Sequence, residues 1–225
     1  MRYLALLFMN LFLIGDVHGC YYTFQALLRY WQPQEELLIQ VGDLVDRGNF
    51  APETVALAME LHTEYPGQVV FLRGNHEAGM IRYYGSEGPF PEWLNWGGRT
   101  TVHQYTEQPS LLQPHLRWLA QRPLIWENDH VVVSHAGLAD TDDPYDEENL
   151  DGVLWRRGPL RNVGKLQVIG HTPTPNGLPL FDRLSHTLSI DTGAYLGRVL
   201  TGVKLTPEGE VLQIVAIPVD AADIS

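Results

Sequence analysis

Three times in the first 77 residues a short apolar run stops at a glycine-bounded polar turn. Residues 11–14 lead into Gly15-Asp16-Val17-His18-Gly19, residues 36–41 into Gly42-Asp43-Leu44-Val45-Asp46-Arg47-Gly48, and residues 69–72 into Arg73-Gly74-Asn75-His76-Glu77. Helical stretches at 22–31 and 52–62 separate them. Strands alternating with helices at this interval predict βαβ units and a sheet with parallel strands. Ligands of such sheets gather beyond the carboxyl ends of the strands, and the three polar turns fall there.

The C-terminal half is strand-rich, with expected strands at 131–134, 166–169, 187–190, 199–205 and 210–217. The last two read as a hairpin through residues 207–209. Residues 78–122 are helical and rich in Trp, Gly and Pro, which predicts a cap-like insertion within one domain spanning 1–225. A chain of 225 residues suits one sizeable core.

Fifteen Lys and Arg against 27 Asp and Glu give a formal charge of −12, which argues against long nucleic acid as a substrate. The single cysteine, Cys20, excludes an internal disulfide and fits a reducing compartment, so the cytoplasm is expected. The apolar run after Arg2 resembles the front of a signal peptide, but no small-residue cleavage site follows and it is too short to span a bilayer. It leads directly into the Asp16 turn, so a strand is expected and no membrane association; translation from Met9 in place of Met1 would leave that strand intact.

Divalent cations take carboxylate, imidazole and amide oxygen donors that converge from separate segments. Asp16 and His18 lie two apart and can face one side of an extended turn. Asp43 holds the matching position one strand over, and a carboxylate there can bridge two ions roughly 3.5–4 Å apart. Asn75 adds an amide oxygen. His135, in Ser134-His135-Ala136-Gly137, and His171, in Ile169-Gly170-His171-Thr172, follow later strands and would complete the second ion's shell.

Gly15-Asp16-Val17-His18-Gly19, Gly42-Asp43-Leu44-Val45-Asp46-Arg47-Gly48 and Gly74-Asn75-His76-Glu77 resemble the signatures of the calcineurin-like metallophosphoesterases. The Asp46-Arg47-Gly48 and Asn75-His76-Glu77 versions resemble the phosphoprotein phosphatase branch. The likeness runs nearly end to end, through Trp93-Leu94-Asn95-Trp96-Gly97-Gly98, Leu154-Trp155-Arg156-Arg157, Gly170-His171-Thr172-Pro173 and Ile190-Asp191-Thr192-Gly193-Ala194. It implies an α/β (α+β) fold with a two-sheet β-sandwich core, a βαβαβ N-terminal half and flanking helices. It implies a first ion on Asp16, His18 and Asp43 and a second on Asp43, Asn75, His135 and His171, with manganese first and iron, zinc or nickel as alternatives. It further implies that a metal-bridging hydroxide attacks phosphorus, that His76 oriented by Asp46 protonates the leaving group, and that Arg47 and Arg157 grip phosphate oxygens. Arg156 competes with Arg157 for that role. Arg73 is expected either on phosphate or beside Asp43 or Glu77. His135 departs from the eukaryotic pattern, with Ala136 where a glycine is usual.

His62, His103, His115, His130 and His186 lack companion ligands and read as surface or packing residues. Trp118 and Trp126 read as core, Trp93 and Trp96 as cleft residues, and Asp191 as a turn-closing or orienting group outside the metal ligands. The acidic run 140–151 reads as a solvated loop, or as an overhang that would repel acidic peptides and polyphosphates and favour basic flanks. The resemblance favours a serine/threonine protein phosphatase, with phosphotyrosine also accepted, acting on a phosphorylated protein or small phosphoester as a monomer or weak oligomer. The alternative is a bis(5'-nucleosyl)-tetraphosphatase, whose group usually carries Ala at the position of Asp46 and Asp at that of Glu77. A scaffold that has lost its chemistry is disfavoured because all six ligand positions are present.

Overall fold

The computed structural model describes residues 9–86 and 90–225; what the sequence suggests for residues 1–8 lies outside them. Residues 11–14 form the heart of β1 (Asn10–Ile14). Leu11 and Leu13 join one apolar cluster while Phe12 and Ile14 join another, the period of two of a strand buried on both faces. This strand therefore separates two cores.

β1 pairs in parallel with β2 (Glu36–Gln40), and β2 with β3 (Val69–Phe71). Helices α1 (Tyr21–Leu28) and α2 (Ala51–Glu64) make the crossovers. Helix α1 ends before residue 31 because the amides of Tyr30 and Trp31 bond to the carbonyls of Leu27 and Leu28 in a tighter turn. The Trp31 indole then donates to the Glu36 carbonyl at 3.0 Å, which fixes the entry into β2. β9 (Val199–Leu205) runs antiparallel to β1, and β10 (Val211–Pro218) antiparallel to β9, giving the order β10-β9-β1-β2-β3.

A second sheet has the order β4-β5-β6-β8-β7. β5 (Val131–Ser134), β6 (Leu166–Ile169) and β8 (Thr187–Ser189) are parallel. β4 (Ile125–Glu127) and β7 (Leu180–Asp182) are antiparallel edges. Those two were not foreseen from sequence. Each has three residues, none of them buried, and each follows within two residues of a proline, so no apolar alternation marks them.

Leu13, Ile39, Val133, Val168 and Val203 meet between the sheets, so the fold is the expected α/β two-sheet sandwich flanked by helices. On the outer face of the first sheet, Phe12, Leu38 and Phe71 are covered by Phe24 and Leu27 of α1 and Val55 and Ala58 of α2. Residues 78–122 hold the rest of α3 (Asn75–Tyr84), a π-helical turn (Leu94–Gly98), α4 (Arg99–Glu107) and α5 (Pro109–Leu119). Met80, Trp93, Tyr105 and Leu119 from this segment enter the same cluster, so it extends the helical layer over that sheet. No helix among the described residues is long and apolar enough to cross a membrane.

Candidate metal centre

The parallel strands of both sheets deliver their carboxyl ends to one place. Asp16 and His18 follow β1, Asp43 follows β2, Asn75 and His76 follow β3, His135 follows β5 and His171 follows β6. All seven are buried. The turns that carry them are tight: His18, Asp43, Asp46, Arg47 and His171 have φ between 47° and 73°, a region unfavourable for residues with a Cβ and characteristic of functional sites. At Gly74 and Gly170 a Cβ would strike the carboxylates of Asp43 and Asp16 respectively, so only glycine leaves them room.

Glu77 holds two of these turns together. Its Oε2 accepts from the amides of Gly74 and Asp43, both at 2.8 Å, and its Oε1 from those of Leu44 at 2.7 Å and Val45 at 3.2 Å. Burial and the neighbouring Asp43 push its pKa up to about 7 against the pull of these donors.

Two groups of potential ligands share Asp43: one with His18 and His76, the other with His135 and His171. Asp43 Oδ2 lies 3.5 Å from His18 Nε2 and 3.4 Å from His135 Nε2. His18 Nδ1 donates to the Val45 carbonyl at 2.9 Å and His135 Nδ1 to the Val41 carbonyl at 3.0 Å. A carbonyl only accepts, so each ring presents its Nε2 lone pair to the centre. His135 Nε2 then sits 2.9 Å from Asn75 Oδ1, two acceptors face to face. His171 Nδ1 is 2.9 Å from the same oxygen and 3.1 Å from His135 Nε2. One Asp16 oxygen and His171 Nε2 are buried with no partner.

Burial, reinforced by Arg47 beside His18 and by His135 beside His171, holds those two rings neutral, and burial also lowers His135. Burial, Asp191 and Asp43 push the Asp16 carboxyl up. Burial also opposes ionisation of Asp43, yet His135, His76, His18 and His171, which are charged at the low pH where Asp43 would take up a proton, hold it well below the usual range. Lone pairs converging on one another and buried carboxylates repelling one another are relieved together by cations. The two clusters, which share Asp43, are consistent with a site for two divalent ions.

His76 stands differently. Its Nδ1 meets Asp46 Oδ2 at 2.6 Å, and Asp46 is locked by the Trp93 indole at 2.7 Å and the Thr101 hydroxyl at 2.6 Å. Burial lowers the His76 pKa, but Asp43 and the Asp46 bond outweigh it and the net shift is upward. Asp46 only accepts and Arg47 only donates, so the ring holds its proton on Nδ1 and offers its Nε2 lone pair to Arg47. Arg47 forks between His18 Nε2 at 3.1 Å and His76 Nε2 at 3.0 Å, with its guanidinium 3.9 Å from the Tyr195 ring centre and its Nε bonded to the Trp96 carbonyl.

Arg157 is exposed and bonds Thr172 Oγ1, one residue beyond His171, whereas Arg156 turns away to Asp151 and the Pro159 carbonyl. Arg73 reaches neither Asp43 nor Glu77: its guanidinium pairs with Glu147. The acidic run is exposed at every Asp and Glu, including Glu147 and Glu148, which pair with Arg73 and Arg82 from the surface. Trp93 is fully buried behind Asp46, so it does not line the cleft as expected; Trp96 is partly buried against the core, its ring centre 6.1 Å from that of His76. Trp118 and Trp126 are partly buried against the core. Asp191 closes a turn on the Gly193 amide at 3.0 Å, and its other oxygen is buried without a partner. Thr101 and Tyr195 were missed from sequence. Thr101 sits in an ordinary helix, and Tyr195 comes after a motif whose informative part ends at Ala194.

A family model described as calcineurin-like phosphoesterase matches residues 9–192. The chain is 29% identical to a bis(5'-nucleosyl)-tetraphosphatase PrpE [asymmetrical] of Bacillus cereus, over 90% of this chain and 92% of that one. The crystal structure of a candidate diadenosine tetraphosphatase superposes with a TM-score of 0.61 at 22% identity, covering 95% of both chains. A serine/threonine phosphatase of Saccharomyces cerevisiae superposes with a TM-score of 0.63 at 19% identity, covering 93% of this chain and 80% of that one. With its buried His and Asp clusters at the strand ends and a family match over most of its length, this chain belongs to the calcineurin-like phosphoesterases and is a metal-dependent phosphoesterase.

Proposed function

We propose that this enzyme hydrolyses bis(5'-nucleosyl) tetraphosphates asymmetrically, adding water across a terminal P–O–P bond to give a nucleoside monophosphate and a nucleoside triphosphate. The observation that carries this is the end-to-end match to the Bacillus cereus enzyme, covering 90% and 92% of the two chains. It supports this reading over the protein phosphatase favoured on motifs alone. Two divalent cations bound by Asp16, His18, Asp43, Asn75, His135 and His171 would supply an activated water and neutralise charge on the phosphoryl oxygens. Arg47 and Arg157 offer guanidinium forks that match phosphate oxygens on either flank.

A second reading has a specific observation behind it. The His76–Asp46 pair, closed at 2.6 Å, suits a general acid, and a serine alkoxide needs a proton far more than a nucleotide phosphate does. That supports activity on phosphoserine. The two readings separate in one experiment: kcat/KM for diadenosine tetraphosphate and for a phosphoserine peptide, on the same chelator-stripped enzyme reloaded with manganese. A dinucleotide preference of tenfold or more is expected; a peptide preference reverses the assignment.

A further inference from the structure

Beside the centre lies a cleft of about 430 Å³ lined by Ala78, Gly79, Arg82, Phe90, Glu147 and Trp155, among others. α3 contributes Ala78 and Gly79 to its lining. Trp96 connects the Trp155 and Phe90 rings of the cleft to His76. Trp96 stands edge-on to Trp155 at 5.4 Å and to Phe90 at 5.3 Å, and its ring centre is 6.1 Å from that of His76. The Arg82 guanidinium lies 4.5 Å from the Phe90 ring centre, adding a planar cation to the aromatic surface. Trp155 is fixed by its indole N–H on the Glu147 carbonyl at 2.7 Å, yet it remains only half-buried.

We propose that this cleft holds one nucleobase of the substrate, stacked on Trp155; this rests on the dinucleotide reading above and names how the same site would select that class. A flat heterocycle suits aromatic and guanidinium faces. Glu147 and Glu148 at the rim repel phosphate but accept hydrogen bonds from ring and exocyclic N–H groups, so the cleft takes the base end of a nucleotide and leaves the phosphates to the metals and Arg47. One aromatic ring, that of Trp96, stands between Trp155 and His76.

The test uses competitive inhibition of aryl phosphate hydrolysis by the manganese-loaded enzyme, comparing AMP with ribose 5-phosphate, which lacks only the base. AMP is expected to bind about tenfold more tightly, the order of one stacked base. Trp155→Phe should keep most of that preference and Trp155→Leu should lose most of it. Equal binding of the two inhibitors by the wild-type enzyme, or a preference unchanged in Trp155→Leu, overturns the cleft assignment even if diadenosine tetraphosphate is cleaved. A preference that depends on Trp155 in an enzyme that fails to cleave the dinucleotide upholds the cleft and overturns the dinucleotide reading alone.

Discussion

Replacing Glu77 by Gln tests whether one buried carboxylate holds two metal-bearing turns in register. At pH 8, above the value of about 7 to which burial and Asp43 push it, Glu77 is ionised and accepts four backbone amides. Glutamine keeps one acceptor oxygen and puts an NH2 group where the other stood. Either the Gly74 and Asp43 amides or those of Leu44 and Val45 then face a donor. Two buried N–H groups left unpaired at ~1–3 kcal/mol each cost about 4 kcal/mol in total, while removing a buried charge whose pKa is raised from 4.5 to about 7 returns about 3 kcal/mol. The net of about 1 kcal/mol corresponds, for a domain of this size, to a fall of roughly 2–4 °C in the unfolding midpoint. The assay is thermal unfolding followed by circular dichroism in the presence of chelator, so that lost metal binding does not contribute. Manganese affinity, measured separately, should weaken by about tenfold, because the backbone that aims Asp43 and Asn75 is no longer tied. A midpoint at or above that of wild type, together with unchanged manganese affinity, would refute the reasoning.

Asp43→Asn should lower bound manganese and reduce turnover by on the order of a hundredfold or more, since one oxygen of the bridge is lost; near-normal turnover contradicts the bridging role. His76→Asn should slow a phosphoserine peptide by roughly 10²–10⁴-fold and an aryl phosphate or dinucleotide far less, because only the alkoxide needs a proton. Equal losses on all three substrates remove the general-acid role. His115, buried with its Nδ1 2.7 Å from the Tyr105 hydroxyl, has its pKa pushed down to about 4 by burial. The unfolded chain therefore binds more protons between pH 6.5 and about 4, and stability falls as pH drops through that window. In His115→Gln the unfolding midpoint should depend less on pH across that window, and an unchanged slope assigns the acid sensitivity elsewhere.

The legible parts of the fold were those where burial imposed a pattern. β1, β2 and β3 are apolar on both faces and end in glycine-bounded turns, so both their existence and their ends could be read. β4 and β7 could not, because edge strands without buried residues carry no alternation. The residues that converge at the strand ends were legible for a similar reason: each follows an apolar run in a glycine-bounded turn, so their meeting place could be read from the strand order. What surrounds them was not. Thr101 and Trp93 reach Asp46 from 55 and 47 residues away, and only the packing of α4 and the π-helical turn brings them there. Arg73 pairs with Glu147 across 74 residues, which no local spacing encodes. The substrate class was not legible there, because Asp46 and Glu77, taken as marks of the protein phosphatase branch, bond His76 and backbone amides, positions that do not report on the group attached to the phosphate.

The most direct test of the account is the stoichiometry of manganese on chelator-stripped protein, titrated while turnover of diadenosine tetraphosphate is followed. Two ions per chain are predicted, with turnover rising as the pair is completed. One ion per chain at full activity, or turnover that survives stripping, would contradict it.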